Sequence, residues 1–223
     1  YTNLLINLRI PTRSGKKYNL KSVEFGNLKF GIYRIKINYT NPKFTNIFNF
    51  SSENYYTSST LNYLNIVKDK YGLTFELLTD DDYDYNAFLY EEKDLVRGKT
   101  LFNDWFVSLE KIRKEYPKNR LLKHLMSSLW GSLCSYKKLY INIDESENYD
   151  VTHLNDQDKS EFKIIKSLET QYKVVKSNDA YNYPLARIKP FLTAFGRLKI
   201  MKFIHEFEIE ENLIRIHTDG LVL

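Results

Sequence analysis

Two stretches hold side chains that could do chemistry together. In RLLKHLMSSLWGSLC, residues 120–134, Lys123, Ser127 and Trp130 follow one another at i, i+4 and i+7. On a helix these three fall within roughly 60° of one another. Leu122, Leu125, Met126, Leu129 and Leu133 share a different, apolar side. One face is ordinary core, and the other presents an ammonium, a hydroxyl and a flat ring in a row. A nucleotide would use all three: a mobile point charge for phosphate, a small residue that leaves room for sugar or base, and a ring to lie against a base pair. The commoner outcome of the same spacing is a packed Trp beside an exposed Lys and a neutral Ser. The second stretch is LIRIHTDGLVL, residues 213–223, in which apolar-rich runs flank a single carboxylate, Asp219. Taken alone, Asp219-Gly220 is a favoured turn pair for a hairpin.

Other chemistries find less support. His124, His153, His205 and His217 have no zinc spacing, and Cys134 is the single cysteine, so a structural zinc site and an internal disulfide are both excluded. RSGKK lacks the earlier Gly of a phosphate-binding loop. No G-x-S-x-G elbow occurs. Asp80, Asp81, Asp82 and Asp84 lack the Gly and distal Glu of a calcium loop and read as a solvated surface stretch. The chain has 223 residues, 43% hydrophobic, enough for one large domain or two small ones with a substantial core. No apolar run is long enough to span a bilayer, and Tyr1 is followed by no signal-like segment. A lone cysteine makes a reducing, intracellular compartment the default expectation. The net charge of +5 comes in blocks: basic at Arg9–Lys43, Lys111–Lys138 and Arg187–Lys202, acidic at Asp80–Asp94 and Asp144–Glu161. Basic faces interleaved with Tyr and Phe suit a polyanion, and equally describe solvated faces.

The elements that must position these residues follow from periodicity. GIYRIKIN, residues 31–38, alternates, with Tyr33, Ile35 and Ile37 on one side and Arg34 and Lys36 on the other, so it predicts a half-buried strand. Ser58–Thr60 predicts the cap of a helix that runs to Tyr71 and ends at Gly72, with LTFELL as a strand behind it. Leu101, Trp105, Leu109 and Ile112 predict a helix over 101–116. Pro117 separates it from a second helix over 120–133, and so short a link predicts an antiparallel pair. Residues 139–177 read as short strands, with EFKIIKSLETQYKVVKS a hairpin. A further helix starts at Ile188 with Pro190 in its first turn and an inner stripe of Ile188, Phe191, Phe195, Leu198 and Met201. The terminal hairpin closes the chain. The mixed order makes the fold class α+β.

The run Lys123-His-Leu-Met-Ser-Ser-Leu-Trp-Gly131 resembles the fingers motif of family B DNA polymerases, Lys-x-x-x-Asn-Ser-x-Tyr-Gly. Lys123, Ser128 and Gly131 match it; Ser127 stands for Asn and Trp130 for Tyr. Arg215-Ile-His-Thr-Asp-Gly220 is similar to the same family's palm hairpin, Tyr-x-Asp-Thr-Asp-Ser, with the metal-binding second Asp at Asp219, His217 in place of the first, and Gly220 in place of Ser. ARIKPFLTAFGRLKIMKFI looks like the palm helix before that hairpin, and GIYRIKI like the strand after the family's first metal motif. Tyr1 resembles the Tyr of that first motif, which closes the pocket against a ribose 2′-OH.

The resemblance implies an antiparallel palm sheet backed by helices, with an antiparallel helical pair as fingers. It divides the chain into 1–100 (palm part and insertion), 101–134 (fingers) and 135–223 (palm with metal hairpin). It implies template-directed addition of dNTPs to a DNA primer, on the viral or plasmid, protein-primed branch, with a terminal protein among its partners and no membrane. Asp219 would bind Mg²⁺ in a two-metal site, the ions about 3.5–4 Å apart. Lys123 would neutralise the triphosphate, aided by Arg113 or Lys111. Ser127, Trp130 and Gly131 would line the nascent base pair. The partner Asp is expected five residues before Tyr1, so residues 1–223 alone are expected to be inactive or nearly so. The acidic stretch 144–161 would be an inserted surface element. A polymerase remnant that binds nucleic acid without chemistry is the alternative, favoured by His217, Ser127 and Trp130; an RNA-using palm polymerase is a third.

Overall fold

The computed structural model describes residues 2–79, 84–153, 161–177, 179–213, 215–216 and 221–222. The chain forms two compact units, Tyr1–Met126 with Arg187–Leu223, and Ser127–Ala186. The class is α+β, with sheets that are antiparallel but for one strand pair. Among the described residues no helix is long and apolar enough to cross a membrane.

The larger unit opens with α1 (Thr2–Asn7), β1 (Arg9–Pro11) and β2 (Lys16–Tyr18). β3 (Gly31–Asn38) is the central strand. Tyr33, Ile35 and Ile37 are buried on one face, as the alternation predicts. On the other face Lys36 is exposed, but Arg34 is only 7% exposed and is enclosed rather than solvated. The one-turn α2 (Phe44–Ile47) delivers Phe44 and Ile47 to the core. β4 (Tyr55–Thr57) runs directly into α3 (Ser58–Ile66), capped by the Thr57 hydroxyl, which accepts from the Thr60 N–H at 3.4 Å. The cap thus sits one residue before the predicted Ser58–Thr60. The single predicted helix is two: the β-branched pair Ile66-Val67 ends α3, and α4 (Lys68–Tyr71) follows, closed by Gly72 at φ 57°.

β5 (Thr74–Leu77) and β6 (Ala87–Leu89) then pair with successive halves of β3. Leu78 N–H donates to Arg34 O (3.1 Å) and Arg34 N–H to Asn86 O (2.8 Å). Leu78 and Asn86 are thus both fastened to the same residue of β3. The sheet order is β2-β6-β3-β4, with β5 also on β3, so β4 is an edge.

β7 (Leu95–Arg97) pairs with β1 and leads into α5 (Gly98–Glu115). Gly98 N–H donates to Leu8 O at 2.8 Å. A Cβ at Gly98 would stand 1.7 Å from Leu5 O, so α1 and α5 meet backbone to backbone where only Gly fits. On α5, Phe102 is buried, but Leu101 and Ile112 of the predicted stripe are exposed. After Tyr116–Asn119, α6 (Arg120–Ser132) begins where the Asn119 side chain accepts from Leu121 N–H at 2.9 Å.

In the smaller unit β8 (Leu139–Asn142), β9 (Val151–His153), β10 (Phe162–Ser167) and β11 (Gln171–Lys176) form a sheet in the order β8-β11-β10-β9. β10 and β11 make the predicted hairpin, and β9 joins β10 in parallel. Ile141, Phe162 and Val174 are its core.

Returning to the larger unit, α7 (Ile188–Glu206) is buried on more than one side. Its first half sets Phe191 against Phe30 (ring centroids 4.3 Å, stacked) and edge-on to Tyr90 (5.6 Å). Its second half places Leu198, Met201 and Ile204 in one core with Tyr33, Ile35, Leu61, Leu64, Phe44 and Tyr71. The chain ends in β12 (Arg215–Ile216) and β13 (Leu221–Val222), paired antiparallel as Arg215↔Val222 and Ile216↔Leu221.

Two glycines test this packing in opposite directions. Gly98→Ala should destabilise the protein by about 2–3 kcal/mol through overpacking. Gly131→Ala, where a Cβ meets nothing within 4 Å, should be neutral or stabilising by up to about 1 kcal/mol. Urea unfolding of the two variants measures both.

Candidate active site

The closing hairpin forms as the sequence predicts on both flanks. Its register leaves residues 217–220 to connect the strands, and Ile216 and Leu221 pack against the main core. Asp219, with His217 and Gly220, lies in that connection, outside the described residues, as does Tyr1. Lys123, Ser127, Trp130 and Gly131 all lie on α6. The side chains of Lys123, Ser127 and Trp130 are outside the described residues; Gly131 is exposed. Arg113 is in the last turn of α5, where it donates to Glu110 Oε2 at 2.8 Å in an exposed i,i+3 pair. Among the described residues no group of three or more His, Cys, Asp or Glu is arranged to hold a metal ion.

The charge blocks of the sequence partly cancel in space. Arg9 pairs with Glu92 (2.5 Å), Lys16 with Glu91 (2.7 Å), and Arg13 with Asp94 (3.7 Å). Hydrogen bonds from Lys16 and Lys93 hold the Glu91 carboxyl down at about 2. Lys43 meets Glu211, and Lys137 meets Asp179. The first three cations of the basic N-terminal block, Arg9, Arg13 and Lys16, are therefore matched by the acidic stretch that ends at Asp94. Arg197 on α7 differs: its guanidinium is exposed and meets no carboxylate among the described residues. With the Asn49 amide oxygen turned toward it, Asn49 accepts from Nη2 at 2.9 Å and Nη1 at 3.2 Å.

A second polar cluster carried no signal in the sequence beyond the presence of His205. Tyr63 OH lies 2.5 Å from His205 Nδ1, and Tyr71 OH 2.6 Å from His205 Nε2. Tyr71 donates to Glu210 Oε1 at 2.8 Å, and Lys70 donates to the same oxygen at 2.5 Å. Tyr71 has one O–H, and it donates that hydrogen to Glu210. Its oxygen must then accept from His205, so Nε2 carries the ring's N–H and neutral Nδ1 accepts from Tyr63. The result is a directed chain, Tyr63 to His205 to Tyr71 to Glu210, which ties α3, α4 and the end of α7 together. Burial and the charge of Lys70 lower the His205 pKa, against the pull of Glu210. Burial raises the Glu210 carboxyl, but the hydrogen bonds from Lys70 and Tyr71 outweigh it and leave the group below its usual value.

Compared with protein-family models, with curated proteins and with solved structures, the chain matches none.

Both shifts act on stability in one direction. With folded pKa values below the unfolded 6.5 and 4.5, the unfolded chain binds more protons as pH falls, so acid destabilises the fold. The melting temperature should hold above pH 6.5, begin to drop below it, and drop further below 4.5. His205→Gln should abolish the first phase and keep the second. Thermal melts across this range check the sign, and a variant with an unchanged first phase would exclude His205 as its source.

Proposed function

We propose that the chain is palm and fingers of a family B DNA polymerase and takes part in template-directed addition of dNTPs to a primer 3′ end. The observation that carries this reading is the terminal hairpin. Its flanks pair in a register that leaves Asp219 in the connection, and they rest on a core that α7 backs. A helix bearing the run from Lys123 to Gly131, then a long buried helix, then this hairpin, is the order that the resemblance requires.

The roles follow from charge and position. Lys123, a point charge on a helix, would neutralise the triphosphate. Arg113 would assist; its exposed bridge to Glu110 is worth under about 1 kcal/mol and can yield to a phosphate. Ser127, Trp130 and Gly131 would line the nascent base pair, and Tyr1 would close against the ribose. Asp219 would hold Mg²⁺, a hard cation that takes one or two carboxylates and otherwise water and phosphate; the donor chemistry of one hairpin carboxylate fits that habit. The bound cation would supply charge to the phosphoryl group in flight, and positioning would account for most of the rest. A terminal protein as primer belongs to the same proposal. His217, where the resemblance has a carboxylate, favours the second reading, a binding remnant without chemistry.

Lys123→Ala should weaken binding of a fluorescent dNTP analogue in Mg²⁺ by about ten- to a hundredfold, the loss of one charge-assisted contact. Unchanged binding would remove Lys123 from the site. In primer extension, Asp219→Asn should abolish Mg²⁺-dependent product. If a protein that binds dNTP normally shows no extension with Asp219 intact, the remnant reading takes over.

A further inference from the structure

The turn between α7 and the terminal hairpin is tied down by charge at two successive carboxylates. Glu210 accepts from Lys70 and Tyr71 of α4, at 2.5 and 2.8 Å, and Glu211 meets Lys43, which precedes α2. The turn starts under strain. Glu208 sits at φ 52°, the left-handed position that closes a helix and favours Gly, and Ile209 N–H returns to Ile204 O at 3.2 Å. Leu213 anchors the far end in the core. His205 stands behind the Glu210 tie. Tyr63 of α3 and Tyr71 of α4 cap its two ring nitrogens, and Glu210 Oε1 lies 3.6 Å from Nε2. Lys202, three residues earlier on α7, places its ammonium over the Tyr63 ring at 5.2 Å. Among the described residues the charges around His205 are thus two cations, Lys70 and Lys202, and one carboxylate, Glu210.

We propose that His205 and Glu210 form a pH-sensitive latch on this turn, closed while His205 is neutral and opened when it binds a proton. Protonation puts an N–H on Nδ1, so the Tyr63 hydroxyl must turn from donor to acceptor. It also sets two cations, His205 and Lys70, against one carboxylate oxygen. The Lys70 side chain is 44% exposed and that of Glu210 13%, so Lys70 is the cation that moves out into water. Its departure removes the charged tie between α4 and the turn. What remains is Tyr71 and the exposed Lys43–Glu211 pair, which holds little by itself. Glu208 can then leave its left-handed conformation and the turn opens, with Leu213 still on the core. The closed latch holds His205 below its usual 6.5 and an open one restores that value, so falling pH favours opening. Glu210, held below 4.5, stays ionised through the upper part of the same range. The device acts on the approach to the hairpin and stands whether or not Asp219 binds Mg²⁺.

The test is native-state hydrogen exchange of the Ile209 and Asn212 amides, which close this turn on Ile204 O and Ile209 O. The β3 amides serve as the reference for global unfolding. From about pH 7.5 to about pH 5, after correction for intrinsic exchange, protection at Ile209 and Asn212 should fall about tenfold, the loss of one charge-assisted hydrogen bond. At the acid end it should lie well below that of β3. His205→Gln, whose amide offers a donor and an acceptor but takes up no proton, should remove the pH dependence. Glu210→Gln should expose the turn at neutral pH as fully as acid exposes it in the wild type. Circular dichroism establishes that both variants fold, and the wild-type series decides alone should either variant fail to. Flat protection across the range, exchange of the turn only together with β3, or a pH dependence that survives in His205→Gln would each overturn the latch.

Discussion

The larger unit depends on covering α7. A helix with Ile188, Phe191, Leu192, Leu198, Met201 and Ile204 all buried has no single dry stripe, so it must be enclosed from more than one direction. Aromatic rings at Phe30 and Tyr90 close over its first half. The β3 sheet, α3 and the Phe44–Tyr71 cluster close over its second half, and the hairpin flanks at Ile216 and Leu221 rest on the same core. The hairpin flanks, Arg197 and the His205 chain are all attached to one buried rod. Their relative positions are as fixed as a packed interior can make them.

Much of this was legible in the residues, because long periodic segments state their own burial. The alternation of β3, the α7 start at Ile188 with Pro190 in the first turn, the β10–β11 hairpin and the terminal hairpin flanks all follow from local pattern. What local pattern could not supply was pairing across the chain. Arg34 reads as an outward charge from its place in the alternation, yet the sheet encloses it. The basic N-terminal block reads as a polyanion face, yet Arg9, Arg13 and Lys16 meet Glu92, Asp94 and Glu91, more than seventy positions away. His205 carries no spacing with Tyr63, Tyr71 or Glu210 that a motif could register; only the fold brings the four together. Of the site residues, the helix under Lys123–Gly131 and the strands beside Asp219 were readable for the same reason as the core, since each is an element with a period.

The two polar clusters contrast in what surrounds them. Around His205 each hydrogen-bonding atom has an assigned partner, and the arrangement fixes which ring nitrogen bears the proton. Among the described residues the Arg197 charge is answered by the Asn49 amide and by no carboxylate. A closed network of that kind stiffens a fold, whereas a cation left with a weak neutral partner keeps its capacity for an outside anion.

The two clamps at Arg34 have a consequence for chain length. Leu78 N–H donates to Arg34 O and Arg34 N–H to Asn86 O, so β5 ends and β6 begins at the same residue of β3. Extra length added between these clamps would leave the ladder intact, and each doubling of a flexible loop costs only about 0.6 kcal/mol in closure entropy. A segment inserted between Leu78 and Asn86 would therefore add surface at little expense to the sheet.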